Sequence, residues 1–286
     1  MDKYTNSIES ITKKFGTSYY FATRFLPNDL RQATYALYSF FRIPDEIVDN
    51  ASTKNENETL SELEDWELMW AKAYKGENSA YPVLSLTAQV FRNYNIPYQY
   101  SLDFLKAMKQ DVYTNRYDTY RDLQEYMYGS ASVVGLIMSY VIGFNSDKAL
   151  KYAPYLGEAM QLTNFIRDIG EDYKERGRIY FPKEDMQKYN ITENSIRDNK
   201  INADFIKLIK FEIKRARNLY RQSDSGLKYL NKRGRFSVIM ASRMYEAILD
   251  KVEQNNYDVL TKRARTSKRE KIYILGKSAL EYGLQG

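Results

Sequence analysis

Apolar residues recur at helical spacing along most of the chain, few segments alternate, and only six prolines punctuate the pattern. The periodicity predicts helices over 61–75, 83–94, 98–114, 119–129, 131–144, 148–173, 203–232 and 236–255, with a shorter one near the C terminus. An earlier helix runs through LRQATYALYSFFR, where Leu30, Ala33, Leu37 and Phe41 share a stripe and Asn28 or Asp29, after Pro27, supplies a cap. Pro44 has no backbone N–H to donate, which predicts a kink or restart there and a second helical half over 45–50. The polar NASTKNENETLSE reads as a loop, with Thr59 or Ser61 starting the next helix. KEDMQKYNITENSIRDNKINAD is the least periodic and most polar stretch, a surface excursion. The pattern implies an all-α protein. With no linker and no internal repeat, 286 residues read as one domain over 1–286.

The most apolar segment, ASVVGLIMSYVIGF at 131–144, is too short for a membrane span and reads as a buried helix. The start, MDKYTNSIESITKKFG, is polar and amphipathic, unlike a secretory signal, so a cytoplasmic location is expected.

Composition then narrows the chemistry. There is no cysteine, hence no disulfide framework, thiolate metal site or cysteine nucleophile. There is no histidine either, so any catalysis falls to carboxylates, Tyr, Lys, Arg, a metal ion or the substrate itself. The 27 tyrosines are a marked excess, and they supply aromatic faces. A net charge of +6, much of it in TKRARTSKREK at 261–271, suits anionic lipid, nucleic acid or a phosphorylated substrate, and equally a solvated face.

Two aspartate pairs stand out, Asp45/Asp49 in RIPDEIVDN and Asp168/Asp172 in QLTNFIRDIGEDYKERGRIYFP. Four residues turn a helix through about 400°, so both carboxylates of a pair leave from one face. Two such faces opposed would form an oxygen cage suited to Mg²⁺ and phosphate. Spacing alone is weak: Asp118/Asp122 in YDTYRD has it too, among ordinary surface neighbours. The second pair has better company, because Gln161, Asn164, Asp168 and Asp172 form one polar stripe while Leu162, Phe165, Ile166 and Ile169 point elsewhere. Around the first pair, Tyr38, Arg42, Asp45 and Asp49 share a face if the kink is mild. Arg42 there serves either an intrahelical ion pair or a phosphate.

These residues resemble a known family. NFIRDIGEDYKERGRIYFP is similar to the second signature of the squalene/phytoene synthases, and DEIVD after Tyr38 and Arg42 is similar to the first. LQEYMYGSASVVGLI resembles a third shared stretch, with Tyr126, Gly129, Ala131 and Gly135 in its Tyr and Ala/Gly positions. The likeness runs from TSYYFATRFLP, where Gly16 and Thr17 replace the His-Ser start of many relatives, to ASRMYEAILDKVEQNNYDVLTKR. It implies an isoprenoid-synthase helical bundle around a central cavity and head-to-head joining of two prenyl diphosphates. It further implies that Asp45, Asp49, Asp168 and Asp172 hold Mg²⁺, or Mn²⁺, with the diphosphate, and that Gln161 and Asn164 line the same mouth. Ser18, Arg42, Arg167 and Lys262 or Arg265 would contact phosphate, and Tyr38, Tyr126, Tyr180 and Tyr245 would flank the reacting carbons.

That chemistry agrees with the composition: an allylic diphosphate ionises against cations without any histidine, and its carbocation needs a dry pocket with π faces. The expectation is a phytoene-synthase-type enzyme using geranylgeranyl diphosphate and no NADPH. The rivals are a fifteen-carbon substrate giving dehydrosqualene or squalene, and a non-catalytic relative, which the four retained acids oppose. The basic tail lacks a groove-reading motif, so no nucleic-acid partner is expected. Lipid substrates imply peripheral membrane contact through basic and aromatic surface.

Overall fold

The structure, a computed structural model, describes residues 8–15, 17–50, 55–77 and 79–284, without the side chains of Phe15, Thr17, Ser18 and Leu284. The described elements are α1 (Ile8–Phe15), α2 (Thr17–Thr23), α3 (Asn28–Asp49), α4 (Glu56–Tyr74), α5 (Pro82–Asn93), α6 (Tyr98–Tyr113) and α7 (Tyr120–Met127). A π-helical turn (Tyr128–Ser132) then leads into α8 (Val133–Ile142), α9 (Lys148–Arg176), α10 (Lys183–Lys188), α11 (Glu193–Arg197), α12 (Ala203–Leu227), α13 (Lys232–Gln254) and α14 (Lys268–Leu284). No strand occurs among the described residues, so the all-α expectation holds. The core runs through most of these helices, from Leu26 to Ala264, and a smaller cluster of Ala22, Met240, Met244 and Ile274 lies where α2, α13 and α14 meet.

Several boundaries differ from the sequence reading, each for a local reason. Helix α3 passes through Pro44 without restarting, because Ile43, Pro44, Ile47 and Val48 are all buried and their packing holds the turn that lost a hydrogen bond. Its N-cap is Pro27, with no side-chain cap from Asn28 or Asp29. Helix α4 starts at a capping box rather than at Thr59 or Ser61. There Asn55 Oδ1 accepts from the Glu58 N–H at 2.8 Å, and the Glu58 carboxylate accepts from the Asn55 N–H at 3.4 Å. The helices expected over 119–129 and 131–144 are joined by the π turn. The surface excursion after residue 182 contains the short α10 and α11.

Two seams set the positions of the helices that matter most. A Cβ on Gly129 would lie 2.5 Å from the Asp103 carbonyl oxygen, so glycine lets the π turn sit directly on α6. A Cβ on Gly135 would lie 2.5 Å from the Ala153 carbonyl, and one on Gly157 would collide with the Ala131 carbonyl, so α9 meets both α8 and the end of the π turn backbone to backbone. Helix α9 also packs along α12. It buries Leu162, Phe165, Ile166 and Ile169 in the core and leaves its polar stripe for a cavity on the other side.

Candidate active site

That cavity has a volume of about 870 Å³ and is walled by α2, α3, α6, α8, α9, α12 and α13. Its mouth lies between the C-terminal turns of α3 and α9, and the rest is largely apolar, with Leu26, Phe104, Met138, Ile142, Leu156 and Leu227 among its walls. Among the described residues seven cationic side chains and five carboxylates line it, an excess of positive charge that favours an anionic ligand.

The two aspartate pairs face each other across the mouth, and one side chain demonstrates it. Arg176 reaches Asp49 of α3 at 2.9 Å and Asp172 of α9 at 3.2 Å. The other acids are also held by arginine. Asp45 pairs with Arg42, which also binds Glu46 at 2.6 Å and approaches Asp49 at 3.7 Å. Asp168 accepts from Arg167 Nε at 2.7 Å and lies 3.1 Å from Arg263, whose other arm binds Glu171 at 2.7 Å. Of the two alternatives for Arg42, the intrahelical ion pair is present, and it lies at the cavity wall.

Crowding shows in the acidities. The Asp45 carboxyl is pushed up to about 7, first by burial and then by Asp49, with Arg42 pulling the other way. Its side chain is 44% accessible, but that surface opens into the cavity, which explains how burial dominates. Asp172 also rises to about 7, through burial and the neighbouring Asp168, against Arg176.

Deeper in, an aromatic wall is tied to a buried acid that the sequence reading overlooked. Phe165 and Tyr180 stack at 4.0 Å between centroids, Tyr126 lies 5.8 Å from Tyr180, and Tyr117 lies 5.5 Å from Tyr126. The Tyr180 hydroxyl donates to both carboxylate oxygens of Asp111 at 3.1 Å, and Arg178 closes the group at 3.1 Å. Burial raises the Asp111 carboxyl to about 6, while Arg178 and the Tyr180 hydroxyl oppose the rise. Burial and the Asp111 charge hold the Tyr126 phenol well above its usual range, so it stays protonated. On the facing side Tyr19 and Tyr38 stack at 5.2 Å.

Of the residues singled out from sequence, Tyr38, Arg42, Asp45, Asp49, Tyr126, Gln161, Asn164, Arg167, Asp168, Asp172, Tyr180, Tyr245 and Arg265 all line this one cavity. Ser18 falls outside the described side chains. Lys262 is not at the cavity: it is exposed and sits 3.7 Å from Asp258, and its neighbour Arg263 takes the place at the mouth. One residue of register in the basic tail makes the difference. Tyr19, Asp111, Arg176 and Arg263 were missed. Only Arg176 carried a local signal, one helical turn after Asp172.

The donor set is all oxygen, which fits a hard divalent cation. Among the described residues no three acidic side chains converge closely enough to hold a metal unaided. The acids stand as two opposed pairs, an arrangement that leaves room for an ion whose remaining ligands come with a phosphate.

The comparisons with known proteins agree with this geometry. Residues 12–270 match squalene/phytoene synthase, and the chain belongs to that family. The 15-cis-phytoene synthase of Synechococcus elongatus is 33% identical over 266 residues, covering 89% of this chain and 85% of the relative. The phytoene synthase of Arthrospira platensis is 33% identical over 278 residues, covering 93% and 89%. A crystal structure of a dehydrosqualene synthase in complex with ligand superposes with a TM-score of 0.88 at 29% identity, covering 96% of this chain and 94% of that one.

Proposed function

We propose that this protein is a prenyltransferase joining two geranylgeranyl diphosphates head to head into phytoene, a step of carotenoid biosynthesis. The observation that carries the reading is the Arg176 bridge, which sets the two acidic turns face to face at the mouth of an apolar, aromatic-lined chamber. The phytoene synthases at 33% identity support the twenty-carbon substrate over the fifteen-carbon rival.

Asp45, Asp49, Asp168 and Asp172 would hold Mg²⁺ or Mn²⁺ together with the diphosphate. When bound, the ion neutralises charge on the leaving group. Arg42, Arg167 and Arg263 turn from carboxylate towards phosphate oxygens, where guanidinium groups bind in two-point fashion, and Arg265 of the cavity lining adds a further cation. Gln161 and Asn164 orient the head group from the same face of α9. Loss of the first diphosphate leaves an allylic cation, which the double bond of the second substrate attacks. Proton loss closes a cyclopropyl diphosphate. A second ionisation, rearrangement and proton loss give phytoene, so each stage releases one diphosphate and one proton and no reductant is consumed. Tyr38, Tyr126, Tyr180 and Tyr245 present π faces to the cations. Tyr126 stays a phenol, so the released diphosphate is the better base.

Among the described residues no helix is long and apolar enough to cross a membrane. We read the protein as cytoplasmic, drawing lipid substrates from a bilayer by peripheral contact. The test is product analysis with geranylgeranyl or farnesyl diphosphate and Mg²⁺, with and without NADPH, for wild type, Asp45→Asn and Asp168→Asn. Phytoene independent of NADPH, with turnover lost in both variants, is expected. A thirty-carbon product alone, or unchanged turnover in both variants, would overturn the reading.

A further inference from the structure

Helix α14 carries an amphipathic surface that the reaction does not use. Its inner side seats Ile274 against Ala22, Met240 and Met244. Its outer side leaves Ile272, Tyr273 and Leu280 exposed at 64%, 70% and 73%. At 100° per residue these three and Gly276 fall in one sector, so they form a patch rather than scattered exposures. On the inner side of the helix Tyr282 meets Phe236 at 5.7 Å, and Phe236 meets Phe25, itself 40% exposed, edge-on at the same distance.

Charge is sorted around it. Lys268 and Lys277 flank the apolar sector on opposite sides, and Arg269 sits within it, all three exposed. The two acids of the helix turn inward. Glu270 pairs with Lys251 and accepts from the Ser267 N–H at 2.7 Å, and Glu281 binds Arg243 at 2.6 Å. The outward face therefore shows cations and hydrophobes only, the composition that lies flat on an anionic lipid surface. Its position adds to this. Lys271 of the same helix and Arg265 just before it line the cavity, and α2 and α13 beneath it contribute Ala22, Val238 and Ala241 to the wall.

We propose that the outer face of α14 is the surface by which the protein docks on anionic bilayers, holding the cavity rim against the lipid from which its substrates come. This deepens, and rests on, the reading of those substrates as prenyl diphosphates. The test is co-sedimentation of the full chain with phosphatidylglycerol/phosphatidylcholine vesicles, alongside turnover of detergent-dispersed geranylgeranyl diphosphate. Ile272→Asp with Leu280→Asp, and separately Lys268→Gln with Arg269→Gln and Lys277→Gln, should each weaken vesicle binding about 100-fold while detergent turnover stays at the wild-type level. Wild-type affinity in both variants would overturn the docking face. So would a dimer that the apolar variant dissociates, seen by light scattering, together with no vesicle binding by the wild type. A wild type that binds vesicles in this α14-dependent way yet turns over no prenyl diphosphate would sink the functional reading and leave the docking supported.

Discussion

Replacing Arg176 with Gln removes a side chain that binds both acidic turns, at 2.9 Å to Asp49 and 3.2 Å to Asp172. An ion pair at 4 Å in an effective dielectric of 20 is worth about 4 kcal/mol before costs. Desolvation and side-chain ordering remove most of that, and the three side chains are 16–23% accessible, between surface and core. A net loss of about 2 kcal/mol for the two contacts is the working figure. With an unfolding entropy of about 2.1 cal/mol/K per residue, a chain of this length should lose about 3 °C in Tm. Thermal unfolding by circular dichroism at pH 8, with and without Mg²⁺ plus inorganic diphosphate, measures it. The deficit should shrink to under about 1 °C when metal and diphosphate are present, because they supply the counter-charge that Arg176 provided. An unchanged Tm without ligand would mean that the turns do not depend on each other, and an undiminished deficit with ligand would mean that Arg176 is structural only. Either result would refute the reasoning.

Asp111→Asn keeps the shape of the side chain but loses the charge that holds Arg178 and the Tyr180 hydroxyl. Turnover should fall about 100-fold with KM little changed, and Asp111→Glu should restore part of it. Equal losses in both variants would rule out a positioning role. The raised pKa values of Asp45 and Asp172 predict a pH effect. Between about 4 and 7 the folded state binds more protons than the unfolded chain, so this part of the stability is complete below about pH 4 and is lost as pH rises through about 7. Mg²⁺ with diphosphate should therefore raise Tm more at pH 8 than at pH 6, and a reversed order would contradict the assignment. Far from the cavity, Arg215 lies 2.7 Å from Glu212 and 2.8 Å from Asp185, two buried acids with no other cation bonded to them among the contacts described. Arg215→Met should cost about 3–5 kcal/mol in urea unfolding, and a loss below about 1 kcal/mol would show that the acids neutralise at no cost.

The fold and the helical part of the site were legible because they rest on local periodicity. The α9 stripe could be read from Gln161 to Asp172 because helical geometry alone decides which residues share a face. Two of the groups that were missed arrive from distant segments. Asp111 of α6 meets Tyr180 only after the chain has passed through α9, and Arg263 comes from a non-helical stretch whose register no periodicity fixes. Pro44 misled for the opposite reason: its local rule is sound, but the burial of Ile43, Ile47 and Val48 outweighs it. The Asn55 capping box was visible in principle as Asn-x-x-Glu, one turn before the residues chosen.

The glycine seam between α8 and α9 acts as an alignment pin for the chemistry. Because Gly135 and Gly157 let two backbones touch, the rotational setting of α9 is registered on main chain rather than on side chains that can swing aside. A single added methyl at either point would tilt the helix and swivel Asp168 and Asp172 away from their opposite numbers on α3. The acidic jaws keep their gauge through two glycines at the seam, neither of them an acid.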